Sequence, residues 1–386
     1  MKILFLQWKC VVEQKDLEDA FVQEGHSLVS FWFSPREILY GDPSGFEKNV
    51  TEVMQKEHPD IVFTVNYYPV ITNICSKRKI KYVSWVYDSP FDWMYFKEIM
   101  DPCNLVYTFD KELAMEFHSA GINTVQYLPM AVNTDRLDIL TEGLPMMYNV
   151  SFVGNFYKDA DFFSQKRSQL SDYTKGYLDA VKEAQLRISG YSLVSEVIGG
   201  AVLDELSKVY LRYPIPGDLR TDKYFMAESV INPWITCIER MGLLETAAKN
   251  FGLDLFSKER DFILPNLNNR GPVSYCDEMP KVFRQSRINL NISRRGMRSA
   301  VPLRCFDVMG SGGFLLSNFQ SGFLDMFVPD QDFVFYDSKE DFVQKIGYYL
   351  AHEDERAAIA KNGHDKVAAK HTYRHRVREM LGEGLG

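Results

Sequence analysis

The sequence predicts an α/β protein built from two Rossmann-like domains. Three observations carry this. Short runs rich in Val, Ile, Phe and Tyr alternate with amphipathic segments, as in parallel sheets covered by helices on both faces. The alternation breaks near "NTDRLDILTEGLPMM" and starts again at "YNVSFVGNFY". The chain has 386 residues, a length that suits two domains.

Each element follows from local pattern. "KILFLQW" reads as a strand, "QKDLEDAFVQEGH" as a helix ending at Gly25, and "SLVSFWF" as a second strand. "FEKNVTEVMQKEHP" is helical and stopped by Pro59. "DIVFTVNYY", "KYVSWVYD" and "CNLVYTFD" are strands, with "VITNICSKRKI" and "KELAMEFHSAG" as helices around them. These elements make an N-terminal domain over residues 1–140. Gly143 and Pro145 mark residues 133–147 as a linker. A second domain is expected over residues 147–365, with strands at "YNVSFV", "LDLFS", "INLNI", "GFLLS" and "DFVFY" and a helical insertion at about 160–235. One last helix, from about 353 to 382, ends the chain, and its part from 366 to 386 is expected to pack back toward the N-terminal domain.

Composition narrows the function classes. A formal charge of −8 and a pI near 5.5 argue against a general nucleic-acid binder, so a local arginine cluster stands out. Six cysteines without a C-x-x-C spacing read as free thiols in a reducing compartment. The apolar start "MKILFLQW" is too short for a signal peptide, and the apolar runs fall short of a membrane span, so the expected location is the cytoplasm. Oligomeric state stays open.

The chemistry concentrates in "SRRGMRSAVPLRCFDVMGSGGFLLS", residues 293–317. A strand, "RINLNIS", leads into a loop bearing Arg294, Arg295 and Arg298. Pro302 then opens a helix that Gly312 and Gly313 close. Helix N-termini bind anions, and guanidinium forks match phosphate oxygens. Arg304 and Asp307 share a helix face, and Asp307 lies about 7–8 Å along the axis from Pro302. A carboxylate there can accept hydrogen bonds from vicinal ribose hydroxyls. The stretch reads as a site for a nucleotide diphosphate; the plain alternative is a solvated loop with a surface Arg304–Asp307 pair.

"VPLRCFDVMGSGGFLLSNF", "FVPDQDFVFYDSKEDFVQKIGYYL" and "KNGHDKVAAKHTYRHRV" resemble the CgeB-like (spore maturation) glycosyltransferases. "PDIVFTVNYYPVI" and "IKYVSWVYDSP" are similar to the domain often joined to them. The resemblance implies a GT-B fold, two Rossmann-like domains facing a cleft, with a nucleotide sugar held mainly by the second. It also implies a glutamate where this chain has Asp307, and in many relatives another where Ser299 stands. The retaining chemistry linked to that glutamate pair is therefore not carried over. "GPVSYCDEMP" resembles the rim of the base pocket, with Tyr275 as a stacking partner; an aromatic core residue is the alternative.

Further candidates follow strand ends, where parallel sheets bind ligands. Gly154 and Asn155 follow the first strand of the second domain and suit a close approach by phosphate. Asn66 and Tyr87 should line the acceptor side, and Asp88 is the candidate general base, its pKa raised by burial beside Trp85, Tyr87 and Phe91. An N-cap or turn aspartate is the plainer reading of "DSP". "DAD" at 159–161 and the pair His371 and His375 are read as solvated or capping groups, and neither a metal nor a cofactor is expected. The expected activity is metal-independent transfer from a nucleotide diphosphate sugar, UDP-linked by expectation, to a protein or cell-surface glycan. An epimerase and a non-catalytic nucleotide-sugar-binding or assembly protein are the rivals. Donor sugar, acceptor and stereochemical outcome stay open.

Overall fold

The computed structural model describes residues 1–8, 14–40, 42–158, 161–212 and 215–383. Cys10 lies outside them; the other five cysteines are free thiols. The chain forms two parallel six-stranded sheets in two compact units. Unit 1 comprises Met1–Ala131, Ile215–Leu219 and His371–Gly386, and unit 2 comprises Val132–Pro214 and Arg220–Lys370.

In unit 1, the strands are β1 (Lys2–Gln7), β2 (Ser27–Trp32), β3 (Ile61–Val65), β4 (Lys81–Val86), β5 (Asn104–Thr108) and β6 (Val125–Tyr127). Their order is β2-β1-β3-β4-β5-β6. The inner strands are buried nearly end to end because helices cover both faces, which is why they read as continuous apolar runs. Two distant segments complete this unit. Residues 215–219 join by backbone bonds, Lys97 N to Gly217 O at 2.9 Å and Leu219 N to Tyr95 O at 2.7 Å. The closing helix, Tyr373–Arg378, packs Tyr373 edge-on to Trp85 at 6.1 Å and points Arg376 at the carbonyls of Pro129 and Met130.

Unit 2 holds β7 (Tyr148–Val153), β8 (Leu253–Phe256), β9 (Leu267–Asn269), β10 (Ser286–Asn291), β11 (Leu315–Asn318) and β12 (Val334–Tyr336). Their order is β12-β11-β10-β7-β8-β9. The first strand thus lies inside the sheet, and the order in which strands are added reverses between the parallel neighbours β7 and β10. Such a switch point opens a crevice at the strands' carboxyl ends. The insertion is helical and has its own core, in which Phe163 meets Trp234 at 4.3 Å.

Two expected elements differ. The linker is largely helix α1 (Thr134–Thr141), capped by Asn133 accepting from Arg136 N at 3.2 Å. Gly143 punctuates its end, not a flexible joint. The last helix is two: α2 (Glu353–Lys370) stops, and Thr372 starts Tyr373–Arg378 with a capping box to His375.

Candidate functional site

At the switch point of unit 2, Gly154 follows β7 and the loop 293–299 follows β10. Gly154 has φ +152°, and a Cβ there would stand 2.9 Å from Arg304 Nη2. The position therefore needs glycine. The turn is fixed by Gly154 N donating to Phe256 O and Phe156 N donating to Glu259 Oε1, each at 3.0 Å.

Three arginines gather at this turn. Arg304 lies over the Phe152 ring, 5.7 Å from its centroid. Arg240 lies 4.7 Å from Tyr157 and 5.6 Å from Phe152, and donates to the carbonyls of Asn155 and Ile292. Arg294 stands 5.9 Å from Tyr157 and donates to Glu228 O at 2.7 Å. Among the described residues, none of the three is ion-paired with a carboxylate. Aromatic faces and carbonyls hold them, and these orient cations without neutralising them. Arg240 is only 3% exposed, and burial, with Arg304 adding, pushes its pKa down to about 10. Among the described residues no carboxylate bonds Arg240 directly, and the Glu239 charge acts on it only from a distance, so this turn suits an anion.

Arg295 departs from expectation. Its Nε and Nη2 grip Glu239 at 2.7 and 2.5 Å, and its Nη1 donates to Ile188 O at 2.7 Å. Every guanidinium nitrogen is engaged, so Arg295 fastens the loop to the helical insertion and has no fork left for phosphate. Arg298 is half-buried in the same loop. Between them Gly296 has φ +99°, and a Cβ there would come within 2.1 Å of Glu228 Oε2.

The helix Leu303–Gly310 has Pro302 at its N-cap. Arg304 and Asp307 do not pair: Arg304 faces β7, whereas Asp307, 5% exposed, accepts from the Tyr275 hydroxyl at 3.0 Å. Tyr275 is half-buried beside it. Gly312 and Gly313 sit past the opposite end of this helix, about 12 Å from its start. There Gly312 O accepts from Arg284 at 3.3 Å, and a Cβ on Gly313 would lie 2.7 Å from Phe283 O. The two glycines therefore end the helix and do not join the arginine cluster.

In unit 1, Asn66 ends β3 in the left-handed region at φ +65° and is 4% exposed. Its amide donates to Asp88 Oδ2 at 2.9 Å and accepts from Tyr87 N at 2.8 Å. The three residues expected at these strand ends are thus joined. Asp88 is exposed, contrary to the expected burial, because Trp85 turns into the core while the chain leaves the sheet after Val86.

Of "DAD", residues 159 and 160 lie outside the described residues, and Asp161 caps a short helix by accepting from Ser164 N at 3.0 Å. His371 meets Arg376 Nη2 at 2.5 Å, and His375 meets Thr372 Oγ1 at 2.7 Å. The two histidines lie on either side of a helix start, so they do not share a helix face. Among the described residues no three His, Cys, Asp or Glu side chains are grouped to hold a metal. No described helix is long and apolar enough to cross a membrane.

Sequence reasoning missed Arg240, Tyr157 and Glu228. For Arg240 a signal existed. On the helix Asn232–Phe251, the buried residues Cys237, Arg240, Leu244 and Ala247 form one stripe at spacings of three and four. An arginine inside an apolar stripe is a charge placed for a reason.

Comparison with known proteins agrees with the two-sheet fold. Residues 240–382 match a family model described as "Glycosyl transferase-like". No curated protein matches the chain in sequence. Among solved structures, a glycosyltransferase from Rickettsia africae aligns at 11% identity and TM-score 0.54, over 99% of this chain and 97% of that one. Sucrose-phosphate synthase from Thermosynechococcus elongatus gives 11% and 0.54, over 100% and 98%. Anabaena HepE in complex with UDP-glucose gives 10% and 0.52, over all of both chains. Residues 240–382 are thus similar to a glycosyl transferase-like family, and the fold of the chain is that of two Rossmann-like domains of the GT-B kind.

Proposed function

We propose that the chain transfers a sugar from a UDP-linked donor to a protein or cell-surface glycan, without a metal ion. One observation carries the donor half: Arg240, Arg294 and Arg304 meet, unpaired with any described carboxylate, at the Gly154 turn of a switch point. The diphosphate supplies the missing negative charge. Arg298 lies half-buried in the same loop. Asp307, oriented by Tyr275, accepts from the ribose hydroxyls, and the Tyr275 ring flanks the base.

In the reaction the acceptor oxygen bonds to the anomeric carbon as that carbon's bond to the diphosphate oxygen breaks. Charge grows on the departing diphosphate, and the arginine cluster stabilises it as it develops. Asp88, held by Asn66, takes the acceptor proton. Its exposure means that this role rests on position alone.

The test is calorimetric titration with UDP, GDP and dTDP in the presence of EDTA, beside Arg304→Ala and Asp307→Asn. UDP is expected to bind, with each substitution weakening it by roughly tenfold to a hundredfold, the range of one charge-assisted hydrogen bond. No binding of any nucleotide to the folded protein would sink the donor reading.

A further inference from the structure

Tyr157 faces two of the three arginines, Arg240 and Arg294, from an unusual backbone state. Its φ is +64°, a region that bulky residues rarely adopt. Such strain persists only where the surroundings hold it, and it gathers at ligand sites. Arg240 is 4.7 Å and Arg294 5.9 Å from the Tyr157 ring centroid. The two like charges repel. A ring that faces both gives each an attractive partner.

A structural account of the ring alone does not explain the backbone. A half-buried tyrosine could cover Arg240 from an ordinary conformation, and a glycine would satisfy φ +64° without strain. The combination of strain with two guanidinium contacts indicates a side chain required at this point for something other than stability.

We propose that Tyr157 is a positioning residue of the anion site: its ring sets the placement of Arg240 and Arg294, through which the donor diphosphate is bound. The inference rests on the donor reading above. It assigns the work to the faces of the ring, not to the hydroxyl.

The experiment compares wild type, Tyr157→Gly and Tyr157→Phe by calorimetric titration with UDP and, separately, with inorganic pyrophosphate, and by thermal unfolding. Tyr157→Gly relieves the backbone and removes the ring. Its unfolding temperature is expected to stay level or rise, while both ligands bind roughly tenfold more weakly, as loss of two cation–π contacts implies. Tyr157→Phe keeps the ring and is expected to bind both ligands like wild type. A merely structural tyrosine would show the reverse for glycine: a lower unfolding temperature and unchanged affinity. That result, or loss of binding in Tyr157→Phe, overturns the proposal. Wild type that binds pyrophosphate but not UDP removes the nucleotide donor and leaves the role of Tyr157 decided by the pyrophosphate arm. Wild type that binds neither overturns both.

Discussion

Arg240 and Arg295 are both nearly buried, and what faces each decides its role. Arg295 meets Glu239, with side chains 9% and 10% exposed, in a two-pronged pair. Removing one partner of such a pair strands the other charge. Arg295→Ala should therefore destabilise unit 2 by roughly 3–5 kcal/mol in denaturant unfolding. The same substitution should leave UDP affinity of the remaining folded protein within about threefold, a change of under 1 kcal/mol. Arg240 faces rings and carbonyls, so its loss should act mainly on anion binding. The sequence made the two hard to tell apart. The loop "SRRGMR" announced arginines, but which of them points to the insertion depends on Glu239, far away in the chain. The helix that carries Asp307 was legible because its pattern is local. Tyr157 was not, since a φ above zero leaves no mark on a tyrosine.

Elements were legible where apolar periodicity set them and less so where single caps did. The strands of both sheets follow Val, Ile, Phe and Tyr runs that need no partner to be recognised. The stop at His371 was invisible because its capping box ends in His375 in place of the usual Glu or Gln. The helix that starts there is tied to the helix Gln14–Gln23 through Glu24, which accepts from Arg374 at 2.7 Å and from Arg378 at 2.6 and 2.9 Å. The Arg378 hydrogen bond, with Arg374 helping against burial, holds the Glu24 carboxyl below its usual range. A lowered folded pKa stabilises the fold above the ordinary glutamate range, and this stabilisation is lost as pH falls through the lowered value. Glu24→Gln should therefore flatten the acid limb of a thermal-unfolding profile below about pH 5. At neutral pH it should cost no more than about 1 kcal/mol, because the two arginines are largely exposed.

At the scale of the whole molecule, two Rossmann-like sheets were readable from the repeat of strand and helix. The tracing between units was not. Residues 215–219 join unit 1 by main-chain bonds, which any sequence can make, and "IPGDL" reads only as a turn. The C-terminal residues matter to unit 1 in a way that can be measured. A chain ending at Lys370 loses the Tyr373–Trp85 contact, the Arg376 bonds and the Tyr107 hydroxyl bond to Met380 O. Scanning calorimetry should show its N-terminal unit melting several degrees lower while unit 2 keeps its transition, since about 1 kcal/mol shifts such a domain by some 2–8 °C. The same tracing bears on biosynthesis. Residues 1–131 leave the ribosome long before residues 371–383, which complete their unit. At about 5–20 residues per second that interval lasts roughly 10–50 s. Throughout it, the surface around Trp85 that the last helix covers is open, and a nascent chain of this design is one that a chaperone would be expected to hold.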